Sequence, residues 1–482
     1  MALNTSAGFS QVIGTFIDAW DDKIVETYQN VAPLLNDAKF QTMKMVGGVY
    51  HVATRLTFEG GHTYAAARAN VGEGSSVYNN PRTGYVPDAQ VEAPQFHGRS
   101  RLTYEAIARS MEGVDASGPD GKKAVREATK IVVDGLLGGS IKKLEAEMIH
   151  GRQGWGQLDS AVNASNVVNS VTDLDGTAGF GQDVNLSAET WSDGLWMAFE
   201  GHAFDFYDNS SGSPGTTKQN TANNTQLAAS GETGCILVAV NPATALTNGT
   251  ANGRALRFYH TAGSAGVVGT GYIGHASTPW LLAGSAMHIF PQSASTTTEF
   301  IGLLQMAQNT GTLFNIPGGT YGMYRGNAVT SVGNLRLSDL IRYCAKPINA
   351  GAGGKKLRAV VPTELFSKFA NDEATLRRYS SATGDAKNGF DSIQMYLPYK
   401  SVLEIMGHPL QKDGRALVYT VDEVMRVGAQ DLDMVRRTGK GRSNDILLEV
   451  GDRPSSELRC YAQFAPVCAT PRHMLSLTGI TY

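Results

Sequence analysis

One short glycine-rich stretch has the spacing of a phosphate-binding turn. Residues 269–274 read GTGYIG, which matches the GxGxxG pattern of dinucleotide-binding enzymes. A working turn of this kind lies between a strand and a helix, with an acidic residue about 20 positions further on. Here Pro279 interrupts any helix starting at Gly274, and the first acidic residue after the motif is Glu299. Because the chain contains 55 glycines, we interpret the match as accidental and predict no bound nucleotide or other cofactor.

Other catalytic patterns are also missing from the sequence. It contains no HExxH, GxSxG or Walker A motif, and no two histidines lie at helical spacing. Asp431 and Asp433 could coordinate a cation, but isolated acidic pairs are usually solvated. We therefore predict structural or surface histidines, no metal site and no enzymatic activity. The cysteines lack CxxC spacing and are predicted to be reduced and mostly buried: Cys235, Cys344, Cys460 and Cys468.

Composition narrows the class of protein. The 482 residues suggest several structural units, and 42% hydrophobic content is enough for a real core. A net charge of −3 gives no basic excess for sequence-specific nucleic-acid binding, although a near-neutral protein can enclose DNA. No apolar run reaches the ~18 residues of a membrane span, and no basic segment precedes the first apolar residues. We predict no secretory signal, no membrane association and synthesis in a reducing cytosol.

The first long periodic segment is amphipathic. In residues 9–35, apolar side chains such as Phe9, Phe16 and Trp20 recur at three- and four-residue spacing, which predicts a helix ending near Pro33. Its polar face is acidic, so packing against protein is favoured over binding to anionic lipid. The acidic residues are Asp18, Asp21, Asp22 and Glu26.

Two alternating segments flank a polar stretch. Residues 49–58 and 95–104 alternate as strands do, and His97, Arg99 and Arg101 share one face of the second. Residues 59–94 are rich in Gly, Asn and Pro and contain no apolar run. The pattern predicts an extended hairpin that projects from the body.

A long helix is predicted over residues 121–150, about 45 Å at ~1.5 Å per residue. Gly135, Gly138 and Gly139 lie in its middle, and each costs up to ~1 kcal/mol relative to Ala. A bend at this point or the close approach of another backbone would explain them, and we favour the bend.

The remaining chain is rich in strand patterns. Residues 155–335 are dominated by Ser, Thr, Asn and Gly, with short apolar runs at 235–240, 256–260 and 280–283, which predicts a β-rich insertion. Residues 336–440 alternate between helix and strand patterns. The tail predicts two strands interrupted at Pro471.

This order of parts resembles the major capsid proteins of tailed bacteriophages, with the Hong Kong 97-type fold. Residues 95–151 and 390–482, including KKLEAEMIHGR and IMGHPLQKDGRALVYTVDEVMRVGAQD, carry the resemblance best. It implies an α+β fold with an N-terminal arm, an E-loop hairpin, a peripheral domain built on a long spine helix, and an axial domain with a β-rich insertion. The implied ranges are 1–48 for the arm, 49–104 for the E-loop, 105–190 with 441–482 for the peripheral domain, 191–440 for the axial domain and about 200–330 for the insertion.

The resemblance also implies partners and a location. Copies of the chain would form pentamers and hexamers of an icosahedral virion capsid, made in the bacterial host cytoplasm, which encloses double-stranded DNA without sequence-specific binding. A portal and possible decoration proteins would be further partners. Because the predicted arm begins near residue 9, we expect a separate scaffolding protein or assembly without one. Residues 45–121 contain no lysine, so we expect no E-loop crosslink. The expected assembly interface comprises Phe9, Phe16, Trp20, Arg82, His97, Arg99 and Arg101.

Three other classes of protein stay open at this point. An encapsulin-like cellular nanocompartment shares the fold and would contain cargo enzymes instead of DNA. A secreted β-rich enzyme or adhesin would suit the Ser/Thr/Asn-rich middle, but it calls for a signal and a polar site that the sequence does not show. A dinucleotide enzyme would require GTGYIG to function.

Overall fold

A computed structural model describes most of the chain. The residues it describes are 32–57, 59–60, 62, 80, 83–103, 119–158, 167–172, 178–210, 213–218, 235–241, 254–260, 288–291, 299–377, 393–435, 448–449 and 455–481. Phe9, Phe16, Trp20, Arg82 and the GTGYIG stretch therefore lie outside the described residues, as does the predicted strand at 280–283.

Helices and strands are mixed along the chain, which confirms the α+β class. The helices are α1 (Pro33–Asp37), α2 (Pro119–His150), α3 (Asp193–Met197), α4 (Leu303–Gln308), α5 (Leu337–Pro347) and α6 (Thr363–Arg377). The strands are β1 (Lys39–Thr42), β2 (Met45–Val46), β3 (Val49–Ala53), β4 (Asp88–Val91), β5 (Gln95–Thr103), β6 (Gly156–Gln157), β7 (Val167–Thr172), β8 (Ala178–Asn185), β9 (Ala203–Ser210), β10 (Ser213–Lys218), β11 (Cys235–Val240), β12 (Ala255–His260), β13 (His288–Pro291), β14 (Thr312–Leu313), β15 (Ile316–Pro317), β16 (Asn327–Val329), β17 (Gly333–Asn334), β18 (Lys356–Val361), β19 (Ile393–Tyr396), β20 (Val402–Gly407), β21 (Arg415–Thr420), β22 (Val424–Met434), β23 (Leu448–Glu449), β24 (Ser455–Cys468), β25 (Leu475–Thr478) and β26 (Ile480–Thr481).

The long helix α2 packs against a five-stranded sheet. In this sheet β1, β22, β24 and β23 follow one another, and β5 pairs with the other edge of β24. Gly98 on β5 faces the helix so closely that an added Cβ would lie 2.3 Å from Cys460 Sγ and 3.0 Å from Ser140 Oγ. The absence of a side chain at Gly98 therefore allows the helix to approach the sheet.

A six-stranded mixed sheet forms the second major layer, in the order β16-β25-β21-β18-β20-β19. One face, including Val360 and Leu417, belongs to the larger hydrophobic core, and the other, including Ala359 and Val418, belongs to a second core beneath α5 and α6. Both faces are therefore buried. The strands predicted in 336–440 are confirmed here.

The two strands of the tail lie in different sheets. β24 belongs to the five-stranded sheet, whereas β25, which follows the turn at Pro471, pairs with β21 and β16 of the six-stranded sheet. The range 441–482, expected as part of one domain, therefore spans both sheets. β24 runs through Pro466 and ends at Cys468, and the chain then turns at Pro471–His473 before β25.

The predicted pairing within the hairpin is wrong. β3 pairs with β4, and β5 pairs with β24. β4 lies in the stretch that we interpreted as loop. Its pattern was too weak to predict a strand, because it is only four residues long and alternates through Ala89 and Val91 alone. Strands β2, β3 and β4 form a separate three-stranded sheet.

The β-rich region forms one eight-stranded antiparallel sheet, in the order β6-β13-β9-β11-β12-β8-β7, with β10 on β9. The strands predicted at 235–240 and 256–260 are confirmed as β11 and β12. The sheet already includes β6 at residue 156, earlier than the expected insertion boundary near 200. Aromatic side chains fill its core, with Trp196 and Phe204 rings 5.5 Å apart.

Helix α2 starts two residues before its predicted start and ends where predicted. It is a single helix through Gly135, Gly138 and Gly139. Outside its own helix turn, a Cβ added at Gly135 or Gly139 would meet no described residue within 4 Å, so no other described backbone approaches these two positions closely. The bend stays a prediction. No helix in the described part of the chain is both long and apolar enough to span a membrane.

Residues 33–35, which we assigned to the predicted helix 9–35, belong instead to α1, which begins at Pro33 after a non-helical Ala32. Proline is favoured at the first helical position, where its missing N–H has no intrahelical partner to lose. The preceding residues, 1–31, lie outside the described part.

Candidate assembly surfaces

Three arginines surround one buried carboxylate on the exposed side of the five-stranded sheet. Arg101 Nη2 donates to Glu457 Oε1 at 2.9 Å, and Arg459 donates to Oε2 through Nε at 3.0 Å and Nη2 at 2.7 Å. Arg99 Nη1 lies 3.9 Å from Oε1. We call Arg99, Arg101, Glu457 and Arg459 the arginine face.

The strand pairing explains how these side chains come together. Arg101 stands directly opposite Glu457, and Arg99 stands opposite Arg459. Side chains two residues apart on a strand share a face, so the arginine face lies opposite the face that contains Gly98 and α2. Hydrogen bonding from Arg101, with that from Arg459, holds the pKa of Glu457 below its ordinary value. The carboxylate is therefore ionised and fixes the orientation of two guanidinium groups.

The residues predicted from the alternating strand are placed on this surface. Arg99 and Arg101 find their acidic partner in the same chain, on a strand more than 350 positions away, which sequence reasoning missed. His97 lies beside them, its ring 5.1 Å from that of Tyr461. In SELRCYAQ, Glu457 and Arg459 fall on one face of the strand, as Arg99 and Arg101 do in β5. Neither segment alone predicts that the two strands pair, or in which register.

A second surface surrounds the three-stranded sheet of β2, β3 and β4, which we call the hairpin sheet. Tyr50, Val52, Ala89 and Val91 point into the core. In the described residues, eight large apolar side chains are exposed, and four of them belong to or adjoin this sheet: Met45, Val46, Tyr85 and Val86.

The base of the hairpin is attached to the body by specific contacts. The rings of Tyr85 and Tyr321 stack at 5.0 Å, and Gln90 N–H donates to Phe314 O at 3.0 Å. Arg152 Nη2, in the turn just after α2, donates to Glu92 Oε2 at 3.2 Å. The hairpin base is therefore firmly placed, and it was not predicted to pack on the core.

A third group of contacts fixes the point where the N-terminal segment joins the body. The backbone N–H groups of Leu34 and Leu35 donate to the two oxygens of Glu145 at 2.8 and 2.9 Å. His408 Nε2 lies 3.1 Å from Glu145 Oε1, while His408 Nδ1 accepts the Leu410 N–H, which places the ring proton on Nε2. Glu145 is fully buried on α2. A carboxylate at a helix N-terminus satisfies donors that have no other partner.

The other end of α1 is held as well. Asp37 forms an ion pair with Arg358 and accepts a hydrogen bond from Tyr419 Oη at 2.8 Å. Arg358 also bonds Glu404 on the neighbouring strand. Sequence reasoning found none of these residues, because each lies within an otherwise apolar pattern and has its partner far along the chain.

The described histidines include several buried structural ones, as predicted. His150 Nε2 bonds Leu410 O at 2.9 Å, and burial, then the charge of Lys412, lowers its pKa well below the ordinary value. His473 bonds Glu423. Lys412 is buried and donates to Gly154 O at 2.7 Å, and burial lowers its pKa strongly.

Asp431 and the described cysteines have ordinary structural surroundings. Asp431 is paired with Arg426. Cys344, Cys460 and Cys468 are buried free thiols, and burial raises the pKa of Cys344 and of Cys468 to about 12. Within the described ranges, no group of three or more His, Cys, Asp and Glu side chains is arranged to hold a metal ion.

Comparisons with known proteins give structural neighbours only, since no family model and no curated protein matches the chain. A chain of the cyanophage A-1(L) capsid asymmetric unit has a TM-score of 0.47 and 9% identity, covering 96% of both chains. A chain from mycobacterium phage Bobi has a TM-score of 0.40 and 12% identity, covering 100% of both. The capsid of the native GTA particle has a TM-score of 0.37 and 8% identity, covering 96% of this chain and 95% of the other. Each of these matches covers nearly the whole of this chain at a TM-score below 0.5.

Proposed function

We propose that this chain is a major capsid protein that assembles into the icosahedral shell enclosing the double-stranded DNA of a tailed phage. Its role is structural and non-catalytic. It acts by binding copies of itself, as pentamers and hexamers, without a cofactor.

The single observation that best supports this proposal is the surface of the hairpin sheet. One face of this small sheet is buried in the body, while half of the exposed large apolar side chains in the described residues cluster at or beside its edges. Exposed apolar groups concentrated at one place indicate an interaction site. Contact with a neighbouring copy would cover these exposed side chains.

The position of the long helix supports the same function. Helix α2 lies on a sheet formed by β5, directly after the hairpin, and by β24 near the C-terminus. This is the arrangement expected of a spine helix in a peripheral domain completed by C-terminal strands. The six-stranded sheet, with both faces buried, suits a separate axial domain.

The finer assignments belong to the proposal. The arm would be 1–48, the E-loop 49–104, the peripheral domain 105–190 with 441–482, and the axial domain 191–440, to whose strands β25 and β26 of the C-terminal range are paired. The arm residues Phe9, Phe16 and Trp20, and Arg82 of the E-loop, would contact neighbouring copies.

Further partners and the location are proposed on the same basis. A separate scaffolding protein, a portal and possible decoration proteins would take part in assembly. The chain would be made in the bacterial cytoplasm and reside in the virion capsid, without E-loop crosslinks, so a denaturing gel of particles would show no covalent ladder.

Particle mass and shape test the function directly. The chain would be expressed with and without its genomic neighbours, then measured by light scattering and electron microscopy. A closed shell of at least ~60 copies has a mass of roughly 3 MDa, given 51.4 kDa per copy. Hollow polyhedra at or above that mass are expected, and packaged DNA instead of cargo enzymes would separate a phage capsid from a cellular compartment. A monomer or small oligomer in every co-expression would contradict the proposal.

A further inference from the structure

The chain passes directly between the two large sheets at two short connections in the part that the structure describes. Residues Val421–Glu423 join β21 of the six-stranded sheet to β22 of the five-stranded sheet. Residues Pro471–His473 lie between β24 of the five-stranded sheet and β25 of the six-stranded sheet. A change in the angle between the sheets must therefore move the backbone at these two connections, which we call the sheet crossings.

A buried pair of side chains joins the two sheet crossings. His473 Nδ1 lies 2.7 Å from Glu423 Oε2 and 2.9 Å from Glu423 Oε1. Lys355, immediately before β18, donates to Glu423 Oε1. On the other side of the ring, His473 Nε2 lies 3.2 Å from the carbonyl oxygen of Ala350, in the turn that leads from α5 to β18. Both crossings are therefore held to the segment that precedes β18.

The partners of His473 determine its protonation state. Burial by itself would raise the pKa of Glu423, but hydrogen bonds from His473 and Lys355 outweigh burial and hold that pKa below its ordinary value. An ionised carboxylate and a backbone carbonyl oxygen can only accept hydrogen bonds. Both ring nitrogens of His473 must therefore donate, and only the imidazolium cation has two N–H groups.

A glycine brings the second acceptor to the ring. Gly351 has a φ of +119°, and a Cβ added there would lie 3.2 Å from His473 Nε2. A side chain at this position would be strained and would crowd the imidazole. Gly351 therefore allows the turn after α5 to place the Ala350 carbonyl against His473.

Histidine is the residue type at the sheet crossings that changes charge near neutral pH. The other ionisable groups on the elements packed against Pro471–His473, or beside the pair, are Glu423, Lys355, Asp422, Arg472, Cys468, Tyr324 and, on α5, Asp339, Arg342, Tyr343, Cys344 and Lys346. Burial raises the pKa of Cys344 and of Cys468 to about 12 and raises that of Tyr324 above its ordinary value. Helix α4, β16 and residues 348–352, also packed there, contain no ionisable side chain.

We propose that Glu423 and His473 form a proton-controlled latch between the two large sheets. With His473 protonated, the latch joins the sheet crossings and fixes the angle between the sheets. When His473 loses its proton, one ring nitrogen can no longer donate and the charge attraction to Glu423 disappears, so the angle is released. This inference goes beyond the proposed function, because it concerns the free subunit.

The latch has a defined pH window. Because the pKa of Glu423 is lowered in the folded state, the contribution of the carboxylate is fully present above its ordinary value of 4.5 and is lost as pH falls through the folded pKa. The contribution of the cation requires the proton on His473 and is lost as pH rises and that proton leaves. The latch is therefore closed in mildly acidic solution and opens in alkaline solution.

Distances between the two sheets, measured on the free subunit, test the latch. Gln430→Cys on the five-stranded sheet and Tyr396→Cys on the six-stranded sheet provide exposed positions for two spin labels. Proteins with only one added cysteine measure any labelling of the native thiols. Double electron–electron resonance is recorded at about pH 6 and about pH 9, on either side of the range in which histidine changes charge.

Three substitutions are compared in this labelled background. His473→Gln cannot carry the charge, and Glu423→Gln removes the carboxylate. His51→Gln is the matched control, because His51 pairs with Asp88 on the hairpin sheet, away from the sheet crossings. Circular dichroism and thermal unfolding establish that each variant is folded at both pH values.

The unsubstituted pair is expected to give a narrow distribution of distances at the lower pH and a broader or shifted one at the higher pH. Hydrogen-exchange protection at the sheet crossings, corrected for intrinsic rates, should fall by about tenfold over the same interval, which corresponds to ~1.4 kcal/mol. His473→Gln and Glu423→Gln should give the broad distribution and the low protection at both pH values. His51→Gln should behave like the unsubstituted protein.

Two outcomes would overturn the latch. A distribution that is identical at both pH values with Glu423 and His473 intact would show that the pair does not control the angle, and this result does not depend on whether either Gln variant folds. A pH-dependent change that persists in His473→Gln would assign the change to another titrating group. Failure to form shells in every co-expression would contradict the proposed function instead, since the distances are measured without assembly.

Discussion

The two large sheets of this protein differ in how completely the subunit covers them. The six-stranded sheet lies between two hydrophobic cores and has apolar side chains on both faces. The five-stranded sheet has α2 on one face and the arginine face, with two half-exposed guanidinium groups, on the other. The first sheet is therefore covered on both faces within one copy, whereas the second leaves two guanidinium groups half-exposed.

The two sheets also differ at their edges: the five-stranded sheet has a long edge strand, and the six-stranded sheet has short ones. β5 is nine residues long, and in the described part of the chain it is paired only with β24. A long strand with an open edge is a template for pairing with another chain. The edge strands β16 and β19 of the six-stranded sheet have only three and four residues. We infer that assembly acts on the five-stranded sheet and the hairpin beside it.

The largest expected difference between the sheets is in subunit stability. Ile405→Ala removes a fully buried side chain from the six-stranded sheet and should lower the free energy of unfolding by about 2–5 kcal/mol. Arg99→Ala on the five-stranded sheet should change it by less than about 0.5 kcal/mol, since the side chain is largely exposed. Chemical denaturation of the subunit measures both. Equal losses would contradict the comparison.

The helix-facing side of the five-stranded sheet should be sensitive to volume. Gly98→Val places atoms where Cys460 and Ser140 already lie, and should cost about 1–3 kcal/mol through overpacking. Gly139→Ala is the matched control, because its added methyl meets none of the described residues beyond its own helix turn and should stabilise α2 by up to ~1 kcal/mol. A destabilised Gly139→Ala subunit would refute the open space seen there. If that variant is stable but cannot form shells, a neighbour occupies the space.

The attachment of the N-terminal segment should have a smaller effect on global stability. Glu145→Gln leaves one acceptor oxygen for two N–H donors and should cost about 1–2 kcal/mol. The segment before Leu34 should also become more sensitive to limited proteolysis, followed by mass spectrometry. Glu364→Gln, at an exposed position in the first turn of α6, is the control. An unchanged cleavage rate would mean that Glu145 does not anchor the segment.

The smallest expected effect is a dependence of stability on pH at the arginine face. Because the pKa of Glu457 is lowered in the folded state, its ion pairs stabilise the subunit fully above the ordinary carboxyl value of 4.5. That contribution is lost as pH falls below 4.5 through the folded pKa. The difference in stability between wild type and Glu457→Gln should therefore be constant at neutral pH and shrink in acid. A difference that grows in acid would contradict the ion pairs.

The sequence predicted elements better than it predicted their partners. The bounds of α2 and most strands of 336–440 follow from periodicity, because each is long or strongly apolar. Strand β4 was missed because four residues with Ala89 and Val91 give too weak a pattern. Pairing of β5 with β24 depends on contacts across more than 350 residues, which no local pattern encodes.

The same limit applies to the candidate site. Arg99 and Arg101 were identified because they alternate with apolar residues on one strand. Glu457, which orients them, and Glu145, which holds α1, could not be identified, since an isolated glutamate in a sequence looks the same whether buried or solvated. Burial of a charged group is decided by its partners, and these are brought together only by the fold.

Hydrogen exchange should be compared between assembled particles and free subunits. Amides of β5 and of the hairpin sheet are expected to become more protected on assembly, while those of β18 and β21 are expected to be protected equally in both states. Protection gained mainly in the six-stranded sheet, with β5 unchanged, would contradict the claim that the five-stranded sheet is completed by a neighbouring copy.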